Sequence, residues 1–200
     1  MIAIIDYAMG NLRSVEKAVN AAGFDAKITN CIQDLKDASH IIMPGVGAMK
    51  DAMEALYKSN LIEELKKEIK QGKPFLGICL GMQMLFNKSY EGGEVECLSL
   101  IDGDIVKFED KGQKIPHIGW NQIEIKKETP LLRGIDDLNF YFVHSYHAKC
   151  NNISDILTTT NYSYDFVSSV SKENMYGVQF HPEKSGDIGI KLLKNFGGIK

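Results

Sequence analysis

Pro74-Phe75-Leu76-Gly77-Ile78-Cys79-Leu80-Gly81-Met82-Gln83 decides how the chain is to be read. Phe75 to Ile78 is a fully apolar run, as a strand covered on both faces of a parallel sheet requires. It ends in a cysteine framed on either side by Gly77 and Gly81, and a helical segment follows. This is the G-x-Nu-x-G layout of a nucleophile elbow, a sharp strand-to-helix turn that lifts one side chain into reach of a substrate. The turn is strained, and side chains in place of the two glycines would collide with the flanking strand and helix. A thiol at the start of a helix faces free backbone N–H groups and the positive end of the dipole, which favour thiolate. Cys79 is therefore a candidate nucleophile, set against the blander reading of a buried thiol acting as a small hydrophobe.

Upstream of this stretch the pattern alternates between strand and helix. Ile2 to Asp6 is a short apolar run, and Asn11 to Ala22 carries apolar residues at Leu12, Val15, Val19 and Ala22 before Gly23, a helical stripe and its stop. Phe24 to Ile28 and His40 to Met43 read as strands, the second broken by Pro44-Gly45-Val46-Gly47. Ala48 to Tyr57 reads as a helix. Leu61 to Gln71 reads as another, with Asn60 and Glu63 spaced as a capping box and Gly72 past the end. Downstream, Gly103–Phe108, Gln122–Ile125, Phe140–Val143, Ile156–Thr160, Phe166–Val170 and Tyr176–Phe180 read as strands between turn-rich polar stretches, and Ile188–Phe196 as a closing helix. The expected fold is α/β: a mostly parallel central sheet flanked by helices, with an antiparallel extension in the second half, residues 1–200 forming one domain.

Composition narrows the function classes. A net charge of −3 with scattered basic residues gives no general argument for nucleic acid or membrane binding. No apolar run approaches the ~20 residues that span a bilayer, and the start of the chain reads as a strand rather than a leader. The four cysteines, Cys31, Cys79, Cys97 and Cys150, are far apart and form no C-x-x-C pair, which fits a reducing cytoplasm and argues against structural zinc.

The second chemical element is Gly177-Val178-Gln179-Phe180-His181-Pro182-Glu183-Lys184-Ser185. A thiol nucleophile needs a base to take its proton and an acid for the leaving group, and imidazole does both near neutral pH. A carboxylate fixes the imidazole tautomer and supports the cation. Pro182 stiffens the bend between His181 and Glu183, so that both side chains can project toward one site. Acyl transfer further needs donors aimed at the developing oxyanion. The N–H groups of Leu80 and Val46 suit this, the latter in the glycine-rich Gly45–Gly47 loop.

With these residues on the page, the chain resembles the class I (triad) glutamine amidotransferases, and more narrowly the glutaminase subunits of imidazole glycerol phosphate synthase. The resemblance covers nearly the whole chain. It rests on Ile5-Asp6-Tyr7 with Gly10-Asn11-Leu12, Pro44-Gly45-Val46-Gly47-Ala48, the cysteine elbow, Ile118-Gly119-Trp120-Asn121, Phe142-Val143-His144-Ser145-Tyr146 and Gln179-Phe180-His181-Pro182-Glu183-Lys184-Ser185. Ala8-Met9 and Met49 depart from the usual pattern beside motifs, not at chemical positions.

The resemblance implies a Cys79, His181, Glu183 triad that hydrolyses glutamine to glutamate and ammonia, with the Val46 and Leu80 oxyanion donors. It implies substrate contacts from Gly47, Gln83, Ser145 and Tyr146, and no cofactor or metal. It also implies a heterodimer with a (β/α)8-barrel cyclase that receives the ammonia, through an interface including Asn11, Trp120, Tyr141 and Lys184. Two rival functions stay open: an ammonia-supplying subunit for a surface-glycan pathway, and a stand-alone γ-glutamyl cysteine hydrolase. A non-catalytic interaction subunit is disfavoured by the intact triad. Trp120 reads either as an interface or a core aromatic. His144 and His147, on one strand, would face opposite ways and make a poor metal pair. The Met82-Met84-Leu85-Phe86 run reads as core packing.

Overall fold

A computed structural model describes residues 1–200. The first half lays down β1 (Ile2–Ile5), α1 (Leu12–Ala21), β2 (Ala26–Thr29), α2 (Ile32–Asp37), β3 (His40–Gly45), α3 (Met49–Lys58), α4 (Ile62–Lys70), β4 (Phe75–Cys79) and the single turn α5 (Leu80–Gln83). The second half is mostly strand: β5 (Lys88–Ser89), β6 (Val95–Glu96), β7 (Gly103–Lys107), β8 (His117–Gln122), β9 (Glu124–Ile125), β10 (Asn139–His144), β11 (Tyr146–Cys150), β12 (Ile156–Tyr162), β13 (Tyr164–Lys172) and β14 (Met175–Val178). Helix α6 (Gly186–Gly197) closes the chain.

The main sheet runs β2-β1-β3-β4-β14-β13-β11-β7-β5-β6, with β12 and β9 branching from β13. Strands β2, β1, β3, β4 and β14 are mutually parallel, and β13 turns the sheet antiparallel. Strands β8 and β10 form a separate antiparallel pair. Alternation along the parallel strands divides the core in two. Ile5, Ile41, Met43 and Phe75 pack with α3 and α4, while Ile4, Ile42, Leu76 and Ile78 pack with α1 and α6. Helices on both faces of a parallel sheet are the arrangement that all-buried strands require. No helix is long and apolar enough to cross a membrane.

Several expectations need correction. The strand at Tyr176 belongs to the parallel core, since Met175 to Val178 pair in register with Phe75 to Ile78. The capping box before α4 does not form. Asn60 takes a left-handed φ of 59°, and the Ser59 hydroxyl accepts the Leu61 N–H at 3.3 Å instead. His144 and His147 do not point apart. Ser145 interrupts the strand, so the alternation does not run through, and both rings pack on Phe108 with centroids at 5.2 and 4.7 Å. Met82, Met84, Leu85 and Phe86 are all fully buried core residues.

Candidate active site

The site sits at the C-terminal ends of adjacent parallel strands, where open α/β sheets bind ligands. Cys79 ends β4, with φ 55°, a strained conformation for any residue with a Cβ. The glycines that frame it are sterically compelled. A Cβ on Gly77 would lie 2.6 Å from the Gly81 carbonyl oxygen, and one on Gly81 would overlap the Met43 carbonyl. The helix that follows is only four residues long. The expected dipole assistance therefore reduces to the local N–H groups of one turn.

His181 lies just past the end of β14, beside Cys79 because β14 pairs with β4. Its Nδ1 is 2.7 Å from Glu183 Oε1, and both side chains are almost wholly buried. The turn Pro182–Lys184 between them is a short 3-10 segment. The Ser185 hydroxyl donates to the His181 carbonyl at 2.7 Å, and His181 N–H donates to the Tyr141 carbonyl at 2.9 Å. Burial pulls the imidazole pKa down. The neighbouring Cys79 sulfur and the Glu183 carboxylate outweigh it and push the pKa up to about 10. His181 Nε2, the nitrogen turned away from Glu183, has no hydrogen-bond partner, nor has Glu183 Oε2. The Cys79 sulfur accepts from Gln179 Nε2 at 3.6 Å.

Around this cluster is a cavity of about 320 Å³. Val46 and Gly47 form one wall, Leu80 and Gln83 the floor beside the cysteine, and Val143, His144, Ser145 and Tyr146 the opposite wall; Glu91 and Lys184 complete it. Thus every residue expected to contact substrate lines one cavity with Cys79 and His181. A larger depression of about 660 Å³, between Ile125 and Gly134, holds neither cysteine nor histidine. The Gln83 amide nitrogen donates to the Tyr146 carbonyl at 3.0 Å and to Gln179 Oε1 at 2.8 Å. Both of its hydrogens are therefore engaged, and its oxygen is the group it has for a ligand.

The loop at Gly45–Gly47 is held by the core. Tyr7, buried in the core, donates its hydroxyl to the Pro44 carbonyl at 2.8 Å, while Gly47 takes a left-handed φ of 96°.

Of the expected interface residues, Lys184 lines the cavity, and Trp120 and Tyr141 lie beside it in sequence-distant contact. On the outward face of the β8–β10 pair, Trp120 is 59% exposed and Ile118 56%, so Trp120 is not a core aromatic. The Tyr141 ring meets Trp120 edge-on at 6.2 Å, and Lys184 Nζ lies 5.8 Å above the Tyr141 ring, close enough for a cation–π contact. Asn11 is exposed at the start of α1. There a Cβ on the preceding Gly10 would lie 3.7 Å from the Pro44 carbonyl oxygen.

Sequence reasoning missed Glu91 and Gln179. Glu91 enters the cavity from a glycine-rich turn, its carboxylate accepting the Met49 N–H at 2.8 Å; nothing in Tyr90-Glu91-Gly92-Gly93 marks it. Gln179 stood inside a quoted motif, but strand alternation alone did not reveal its contact with the sulfur.

A cysteine on a strained elbow, a histidine on a carboxylate and a shared cavity at the end of a parallel sheet describe a thiol-dependent amide hydrolase. The chain belongs to the class-I glutamine amidotransferase family, whose model matches residues 3–197. It is 52% identical over 198 residues to the imidazole glycerol phosphate synthase subunit HisH of Caldanaerobacter subterraneus subsp. tengcongensis, covering 98% of this chain and 97% of that protein. It is 49% identical over 195 residues to the subunit of the same name from Aquifex aeolicus, covering 96% and 94%. Among solved structures, the fold matches PurLQS from Thermotoga maritima with a TM-score of 0.79 at 18% identity, covering 98% of this chain and 97% of that one.

Proposed function

We propose that this chain is the glutamine-hydrolysing subunit of imidazole glycerol phosphate synthase in histidine biosynthesis. In this reading it is one glutamine amidotransferase domain that passes ammonia to a (β/α)8-barrel cyclase. The observation that supports the chemistry is that Cys79 and His181 line one cavity at the ends of β4 and β14, with Glu183 Oε1 2.7 Å from His181 Nδ1. The identities of about half the residues to HisH subunits over nearly their whole length support the assignment to this synthase.

Glutamine enters the cavity with its side-chain amide beside Cys79. Glu91, the one carboxylate lining the cavity, receives the α-ammonium. The Gln83 oxygen and the backbone at Gly47, Ser145 and Tyr146 hold the rest of the substrate. The Cys79 sulfur, as thiolate, attacks the amide carbon, and the oxyanion is held by the N–H groups of Leu80 and Val46. His181 gives its proton to the departing nitrogen as the C–N bond breaks, and Glu183 supports the ring. Water then adds to the thioester with His181 as base. Glutamate leaves and the thiolate–imidazolium pair returns. Ammonia released into water would be protonated and unreactive, so the product requires a covered path. The exposed Ile118, Trp120 and Tyr141 face, with Lys184 and Asn11 at its edges, is the surface on which the cyclase docks.

The test is glutaminase activity of the chain alone and with the cyclase, and of Cys79→Ala in the complex. The expected result is weak activity alone, strong stimulation by the partner, and loss of glutamine use in Cys79→Ala with synthesis from added ammonia intact. Full activity without a partner would favour a stand-alone hydrolase. Loss of ammonia-dependent synthesis in Cys79→Ala would overturn the division of labour.

A further inference from the structure

Behind the wall opposite Val46 lies a chain of hydrogen bonds in which every donor and acceptor is forced. The His144 Nδ1 lies 2.8 Å from the Tyr146 carbonyl oxygen. A carbonyl only accepts, so Nδ1 carries the proton and, in the neutral ring, Nε2 does not. His144 Nε2 lies 3.0 Å from His117 Nδ1; His117 must therefore donate from Nδ1 and present a bare Nε2. That nitrogen lies 3.2 Å from Asn121 Nδ2. The amide orientation of Asn121 is fixed independently: its oxygen accepts the Gln122 N–H at 2.8 Å, and its nitrogen donates to the Asn161 carbonyl at 2.9 Å. The series thus runs one way, from Asn121 through His117 and His144 to the Tyr146 carbonyl.

That carbonyl is the same one that accepts from Gln83 Nε2. Gln83 in turn donates to Gln179, and Gln179 to the Cys79 sulfur.

We infer that His117 and His144 are positioning residues: two neutral imidazoles locked in one hydrogen-bonding direction that hold the Tyr146 carbonyl, and through it the Gln83 amide, in the wall of the cavity. The surroundings fit neutral rings. His117 is sandwiched between Phe142 and Tyr162, with centroids at 4.9 and 4.1 Å. Both histidines are buried, and burial lowers their pKa values to about 4 for His117 and about 3 for His144. The charges that act on His144 are those of His117, His147 and His181, all cationic when protonated. Reversing His144 to the Nε2–H tautomer would set a bare Nδ1 against the Tyr146 carbonyl and two N–H groups against each other across the pair. The wall is thereby built with one polarity, and the Gln83 oxygen is left to face substrate.

The functional arm rests on the glutaminase reading; the tautomers do not. Two measurements separate them. First, long-range 15N–1H NMR of the 15N-histidine-labelled full chain should show both rings as Nδ1–H tautomers, with no titration from pH 8 down to about pH 5. His117→Phe assigns the signals. Second, His117→Phe keeps a ring between Phe142 and Tyr162 but removes the donor to His144. In the complex with the cyclase it should raise KM for glutamine about five- to tenfold, the value of one hydrogen bond, with kcat within about twofold. His117→Gln, whose amide can still donate, should return KM toward the parent value. An Nε2–H tautomer at either ring, titration near the ordinary histidine value, or equal KM values for His117→Phe and His117→Gln overturns the inference. Absence of glutamine hydrolysis by the parent chain in the complex would sink the glutaminase reading alone and leave the tautomer result standing.

Discussion

The buried histidines make the stability of this protein fall as the pH drops below neutral. On the acid side, His117 and His144 titrate near 6.5 when unfolded but at about 4 and about 3 when folded. Between pH 6.5 and about 4 the unfolded chain therefore binds protons that the folded chain does not, and stability falls as pH falls. Each such proton changes the unfolding free energy by about 1.4 kcal/mol per pH unit. Two give about 2.7 kcal/mol per unit and, at pH 5, a loss of about 4 kcal/mol. His40 and His147 are lowered by burial too and steepen the same limb.

Urea denaturation at half-unit intervals from pH 5 to 8 reads this limb. Far-UV circular dichroism is the suitable signal, because the single tryptophan is already largely exposed in the native state. His117→Phe and His144→Gln should each remove about 1.4 kcal/mol per unit from the acid slope. A free energy flat between pH 5 and 6.5, or an acid slope unchanged in the double variant, would refute the reasoning.

Three further outcomes follow from the geometry. Gly81→Ala places a methyl on the Met43 carbonyl and should cost more than about 3 kcal/mol or abolish folding, read as a fall in melting temperature; an unchanged melting curve would contradict the elbow described above. Trp120→Ala should leave the melting temperature of the isolated chain within a degree or so, since the ring is exposed. The same change should weaken cyclase binding by about 2 kcal/mol, roughly thirtyfold in Kd by titration calorimetry; unaltered affinity would move the interface elsewhere. Glu91→Gln should raise KM for glutamine at least about tenfold with little change in kcat, as expected for loss of an α-ammonium contact; a fall in kcat alone would assign Glu91 a different role.

The parallel half of the fold was legible because β1 and β4 are wholly apolar and α1 and α4 carry apolar stripes closed by Gly23 and Gly72. α2 escaped because six residues with one buried apolar side chain, Leu35, make no period. β5 and β6, of two residues each, carry no pattern at all. The direction of β14 was misread for a different reason. Its residues look like any short buried strand, and only long-range pairing with β4 sets it parallel. The triad was legible because cysteine, histidine and glutamate each sit in a motif with a mechanistic meaning. Glu91 was not, since a carboxylate in a polar turn is the commonest of surface features. The histidine pair at 117 and 144 was equally invisible, because β8 and β10 meet only in three dimensions.

The order of the strands has a consequence for how the molecule is made. The sheet is open in its middle until residues 175–178 insert between β4 and β13. During synthesis the N-terminal strands and helices emerge from the ribosome first, yet the slot beside Cys79 stays unfilled until β14 has left the exit tunnel. A chain terminated before residue 175 therefore carries the Cys79 sulfur without the histidine that faces the same cavity.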